Sequence, residues 1–255
     1  MWSSYVALGD SFTEGMNDYL PDGSLRGWAD LVGASFAAGR PDFRYANLAV
    51  RGKLIRQIAT DQVPRAVQMR PELVSLFAGV NDVLRPKVDL PALTALFDRC
   101  VRDLREAGSE VVLFVGGGQT RAAGSSGRGR IGARIAALND AIARTGAAYD
   151  CHVVDIGVPE VFRHPDMWSE DRLHLSSVGH QRIAAAVCEV LNVPFPAVDG
   201  WRVPLEPAAP VPWLTARRSD LRWARRYLAP WIGRRVRGRS SGDGRLPKRP
   251  ELTSI

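Results

Sequence analysis

Residues 5–15 read Tyr5-Val6-Ala7-Leu8-Gly9-Asp10-Ser11-Phe12-Thr13-Glu14-Gly15, a short continuous apolar run that stops in a polar turn flanked by glycines. An apolar run of this length that does not alternate reads as a strand buried on both faces, as in parallel sheets. The pattern recurs at Phe43 to Val50, Leu73 to Ala78, Val111 to Val115 and His152 to Ile156. Between the runs lie segments of helical spacing. Trp28, Leu31, Val32 and Phe36 share one face, as do Leu93, Leu96, Phe97, Cys100, Val101 and Leu104. Ile131, Ile135, Leu138 and Ile142 form a third face, and Ile183, Val187, Val190 and Leu191 a fourth. Strand and helix alternating in this way predict an α/β fold with helices on both faces of a parallel sheet. In such sheets ligands gather at the carboxyl ends of the strands, so the residues closing each run carry the search for chemistry.

Ser11 follows the first run directly, where its hydroxyl and its backbone N–H can face one crevice; a glycine turn capped by Asp10 or Ser11 is an equal reading of the heptapeptide alone. The G-x-S-x-G elbow is excluded because position 13 is Thr13. The second run leads to Arg51-Gly52 and the third to Gly79-Val80-Asn81-Asp82. A glycine permits close backbone approach and an Asn amide donates without charge, so Gly52 and Asn81 could build an oxyanion hole with Ser11 N–H. Taken singly, Gly52 also suits a plain turn and Asn81-Asp82 a helix cap. Late in the chain comes Asp171-Arg172-Leu173-His174. A serine nucleophile needs an imidazole base and a group that holds the base's tautomer. Of the four histidines, His152 falls in a strand, His164 precedes Pro165 and His180 enters the last helix, which leaves His174, three residues after Asp171, with the best partner.

Gly9-Asp10-Ser11, Gly52, Gly79-x-Asn81-Asp82 and Asp171-x-x-His174, in that order, closely resemble the four blocks of the SGNH hydrolase superfamily, also called GDSL esterases and lipases. The resemblance covers about residues 4 to 192. It implies a flavodoxin-like three-layer α/β/α sandwich with five parallel strands, and hydrolysis of esters or thioesters without metal or cofactor. It further implies Ser11 as nucleophile, His174 as base, Asp171 as its orienting carboxylate, and Ser11, Gly52 and Asn81 as oxyanion donors. The glycine-rich stretch Gly116-Gly117-Gly118-Gln119-Thr120 is a local departure, readable as a pocket rim or as an idle loop. The reading from another class is a noncatalytic phosphate- or nucleotide-binding module on the same scaffold; it would not require the Asp171 and His174 pair.

The formal charge of +7 is unevenly placed. After residue 200 stand twelve Arg and Lys248 against four acids, a charge of +9, whereas the first 200 residues carry −2. Residues 1–192 are expected to form the catalytic domain, 193–212, with six prolines, a linker or wrap, and 213–255 a basic extension. In residues 213–237, Leu214, Leu221, Ala224, Leu228, Trp231 and Ile232 fall near one helical face among arginines, and Pro230 is expected to end or kink the helix. This segment would dock its apolar stripe on the body, lie on an anionic membrane surface, or bind nucleic acid in a nonspecific, salt-sensitive way. No recognition motif points to a specific nucleic acid. From Gly238 onward the chain is expected to be extended or disordered. Cys100, Cys151 and Cys188 cannot form a closed disulfide set, no secretory signal is readable and no run of about 18 apolar residues occurs. A cytoplasmic protein, peripheral to the membrane if the basic segment binds there, is expected.

Overall fold

The computed structural model describes residues 2–116, 129–157, 160–195, 200–209 and 211–255. Most of the glycine-rich stretch after Gly116 lies outside the described residues. Five strands run parallel: β1 (Ser4–Leu8), β2 (Arg44–Asn47), β3 (Leu73–Leu76), β4 (Glu110–Val115) and β5 (His152–Asp155). Their spatial order is β5-β4-β3-β1-β2, so the chain reverses direction across the sheet at β1, which places a crevice at its carboxyl end.

Alternation within each strand feeds two cores. Tyr5 and Ala7 of β1, with Val112 and Phe114 of β4, pack against the helices Trp28–Ala37 and Ser177–Val190. Val6 and Leu8, with Val111 and Leu113, face the opposite way, onto the helices Leu90–Glu106 and Arg130–Ala148. Burial on both faces explains why the strands read as continuous apolar runs. One helix on each face starts at a side-chain cap: Asp89 accepts from Ala92 N and Ser176 from Gly179 N. Leu93, Phe97, Cys100, Val101 and Leu104 of the first are buried, as their spacing predicts.

The sheet has six strands rather than five. The sixth, β6 (Arg249–Ser254), comes from the end expected to be extended or disordered and pairs antiparallel with β2, Arg44 opposite Ser254 and Tyr45 opposite Thr253. Its sequence lacks an apolar pattern because an edge strand needs partners for its backbone, not a buried face. Lys248, just before it, is half-buried against Asp30 (Nζ to Oδ2, 2.5 Å) and also donates to the Arg26 carbonyl. Burial pushes the Asp30 carboxyl up to about 6 despite the ammonium beside it, and burial likewise lowers Lys248.

The basic segment is an α-helix over Trp213–Trp223, a π-helical turn over Ala224–Leu228 and an α-helix over Ala229–Val236. Pro230 therefore does not end it: the wider turn immediately before absorbs the missing hydrogen bond and the ring.

Removing one partner of a half-buried ion pair leaves the other charge unpaired, so Lys248→Met should destabilise the fold by about 2 kcal/mol, less than a fully buried pair would cost. Urea denaturation should show that loss, and the double variant Asp30→Leu with Lys248→Met should recover part of it. An unchanged single variant would contradict the clamp.

Candidate active site

β1 delivers Ser11 at the first position of a short helix, Ser11–Glu14, whose N-terminus is capped by Asp10 (Oδ1 from Phe12 N, 3.1 Å). The turn before it is held by Gln62, whose amide accepts from Gly9 N (2.8 Å) and donates to Gly9 O (2.9 Å). His174 reaches Ser11 from the loop ahead of the helix Ser177–Val190, with Nε2 2.9 Å from Ser11 Oγ. Its Nδ1 lies 2.6 Å from Asp171 Oδ2. Both side chains are mostly covered, His174 at 19% and Asp171 at 14% exposure, so the contact is shielded from bulk water.

Asp171 is the most heavily bonded group of the site. Oδ1 accepts from Ser169 Oγ (2.7 Å), Leu173 N (2.9 Å) and His174 N (2.9 Å). Oδ2 accepts from Asn17 Nδ2 (2.7 Å) as well as from the imidazole. Burial alone would raise its pKa, but the hydrogen bonds and the neighbouring imidazole outweigh it and hold the carboxyl well below the usual range. Asn17 and Ser169 also bond each other (2.7 Å), and neither belongs to a sequence motif read above. The one signal for the first is an Asn shortly after the Ser11 turn; Asn17 is left-handed (φ 70°), a conformation Asn tolerates better than most residues.

Gly52 follows β2 and Asn81 follows β3, the two neighbours of β1 in the sheet. Among the described residues, the N–H groups of Ser11 and Gly52 have no protein acceptor. The Gly52 loop is bolted to the Ser11–Glu14 helix by Glu14, which accepts from Arg51 N (2.6 Å) and from the Arg51 guanidinium (2.6 Å). Asn81 Nδ2 donates to Asp10 Oδ2 (2.8 Å) and to Lys53 O (3.2 Å), so both of its amide hydrogens are engaged. The structure thus joins Ser11, His174 and Asp171 in one hydrogen-bonded chain and ties Asn81 to the residue before the serine.

The other histidines are committed elsewhere. His180 is buried, takes Trp28 N on Nδ1 (3.2 Å) and meets Met16 O through Nε2 (3.1 Å), and burial lowers its pKa to about 4. His152 meets Glu110 and His164 meets the Glu206 carbonyl. Among the described residues no group of three or more His, Cys, Asp or Glu side chains is arranged to hold a metal ion.

A mainly parallel sheet that brings a serine, an imidazole and a carboxylate together at its carboxyl end has the arrangement that nucleophilic hydrolases use. Residues 7–182 match the GDSL-like lipase/acylhydrolase family, and the chain belongs to that family of ester hydrolases. Family membership sets aside the noncatalytic binding module. Solved structures share the fold. The α/β hydrolase LAE5 from the metagenome of Lake Arreo, Spain, is 22% identical with a TM-score of 0.61, covering 74% of this chain and 95% of its own. The lipase/acylhydrolase of Enterococcus faecalis is 20% identical with a TM-score of 0.58, covering 76% and 99%. The acetylxylan esterase Axe2 of Geobacillus stearothermophilus is 17% identical with a TM-score of 0.60, covering 76% and 95%. A search of curated proteins returned no match.

Asp10 yields a test of the site's electrostatics. Burial pushes its carboxyl up to about 7, whereas an unfolded Asp titrates near 4. Between those values the folded chain keeps a proton that the unfolded chain has lost, so this group makes stability fall as pH rises. Denaturation midpoints across that range should fall less steeply for Asp10→Asn than for wild type; identical slopes would contradict a protonated Asp10.

Proposed function

We propose that the chain hydrolyses carboxylic esters, short acyl or O-acetyl esters and thioesters among them, through an acyl-enzyme on Ser11. The observation that carries this reading is the continuous hydrogen-bonded chain from Asp171 through His174 to Ser11 Oγ. His174 Nε2 takes the hydroxyl proton as Oγ attacks the acyl carbon, and Asp171 stabilises the imidazolium that results. The N–H groups of Ser11 and Gly52 receive the oxyanion, joined by Asn81 Nδ2 once it exchanges one of its two present acceptors for the acyl oxygen. The tetrahedral intermediate collapses, the C–O bond to the alcohol breaks, and the alcohol leaves with the proton from His174. Water, deprotonated by His174, then attacks the acyl-enzyme and releases the acid, restoring Ser11.

The partner that the basic segment supports is an anionic lipid surface. The body meets this helix through Asp220, Trp223 and Tyr227, not through the aliphatic stripe. Leu214, Leu221 and Ile232 are 62%, 67% and 47% exposed, on the outward side with Arg217, Arg218 and Arg225. A second copy laid on this face would set arginine against arginine, whereas an anionic bilayer accepts both the charge and the apolar stripe. Among the described residues no helix is long and apolar enough to cross a membrane.

Two measurements test these readings. With a short p-nitrophenyl ester, Ser11→Ala and His174→Ala should abolish turnover, Asp171→Asn should lower kcat by about 10⁴-fold, and Asn81→Ala by about 10²-fold or more. Wild-type rates in Ser11→Ala would sink the mechanism. In flotation, the full chain should rise with anionic vesicles at low salt and not with neutral ones, and Leu214→Glu with Leu221→Glu should stay at the bottom. Flotation indifferent to lipid charge would refute the surface.

A further inference from the structure

The chain beyond residue 200 is fastened at both ends. Trp201 is buried, its indole donating to Glu189 Oε2 (2.9 Å), and Arg182 donates to the Trp201 and Val203 carbonyls (2.8 and 2.6 Å). At the far end, β6 and Lys248 close on β2 and Asp30. Between these anchors the chain rests on both loops that carry the candidate catalytic groups.

The first is the loop of Asp171 and His174. Trp223 Nε1 donates to the Asp171 carbonyl (2.8 Å), and Tyr227 OH donates to Glu170 Oε2 (3.1 Å). Arg172 is left-handed (φ 58°), a conformation that a residue other than glycine keeps when its surroundings hold it. Its guanidinium donates to Asp220 Oδ1 (2.8 Å) and Ser219 Oγ (3.3 Å) and lies over the Trp223 ring at 5.2 Å. Three successive residues of the loop therefore lean on the helical segment.

The second is the Gly52 loop. Ser240 N donates to Asp243 Oδ2 (2.8 Å) and Gly242 N to Ser240 Oγ (3.2 Å), which shapes a tight turn. Ser240 Oγ donates to Gly52 O (3.4 Å) and fills the space that a Cβ on Gly52, left-handed at φ 74°, would take. Gly242 is buried so close to Arg51 O that a Cβ there would overlap that oxygen. Arg51 O and Gly52 N–H belong to one planar trans peptide and point in opposite directions, so a body pressed on the oxygen fixes where the N–H aims. Glu14 grips the same loop through Arg51 N and the guanidinium.

We propose that the Ser240–Gly242 turn is a positioning element of the active site, which aims Gly52 N–H at the acyl oxygen by bearing on the Arg51–Gly52 peptide. Gly242 and Ser240 are positioning residues: they reach the reaction through Gly52, and the inference rests on Gly52 being an oxyanion donor. The distal end of the extension thereby becomes part of the machinery that β1, β2 and β3 begin.

Steady-state kinetics of full-length Gly242→Ala and Ser240→Ala on a p-nitrophenyl ester test it, with Leu246→Ala, at a position 86% exposed, as the control. A donor misplaced by about 1 Å costs about 10²-fold in rate. Gly242→Ala should lose about that much in kcat with KM within about twofold of wild type, Ser240→Ala should lose less in the same direction, and Leu246→Ala should match wild type. The rate at which a fluorophosphonate labels Ser11 should fall in parallel, because that reaction also builds charge on an oxygen in the hole. A change in KM alone, or a folded Gly242→Ala with wild-type kcat, overturns the proposal. Should Gly242→Ala fail to fold, Ser240→Ala decides, since it removes one hydroxyl and leaves the backbone alone. Failure of the ester-hydrolysis reading is seen separately, as wild-type protein without Ser11-dependent turnover.

Discussion

The carboxylate of Asp171 is the fixed point of this molecule. It accepts five hydrogen bonds, from Asn17, Ser169, Leu173 N and both His174 nitrogens that face it. A carboxylate so saturated cannot rotate without breaking several bonds at once, so the imidazole it holds has one orientation, and that orientation carries Nε2 to Ser11 Oγ. The helix containing Ser11 and the loop containing His174 are 163 residues apart in sequence, and this short chain of bonds joins them at the carboxyl end of the sheet.

The opposite side of the site has a comparable logic built from a buried ion pair. Glu14, three residues past the serine, holds Arg51 and so the peptide that ends in Gly52 N–H. The Ser11–Glu14 helix and the turn that follows it thus hold both the Asp171 and His174 loop, through Asn17, and the Gly52 loop, through Glu14. The C-terminal chain closes the arrangement from outside, Trp223 on one loop and the Ser240–Gly242 turn on the other, with its ends pinned by Trp201 and Lys248.

Much of the fold could be read in advance because period and burial leave direct traces. Tyr5 to Leu8 is apolar at every position since both faces of β1 are covered, and Leu93, Phe97, Val101 and Leu104 repeat at helical spacing since one face of their helix is. Ser11, Asp171 and His174 were legible through motif order. Asn17, Ser169 and Glu14 were not, because their roles arise from tertiary hydrogen bonds that no local spacing encodes. The tail misled for a related reason. β6 needs backbone partners rather than apolar alternation, and the π-helical turn at Ala224–Leu228 shifts the register of the helix, so the stripe from Leu214 to Ile232 faces outward while Trp223 and Tyr227 meet the body.

Everything proposed for this site depends on Ser11 being the group acylated during turnover. Reaction of the native full-length chain with a fluorophosphonate, followed by peptide mass mapping, tests it most directly. The account predicts one adduct per chain, located on Ser11 and lost when the protein is unfolded before reaction. Labelling of another residue, or no adduct on folded protein that still turns over an ester, would contradict it.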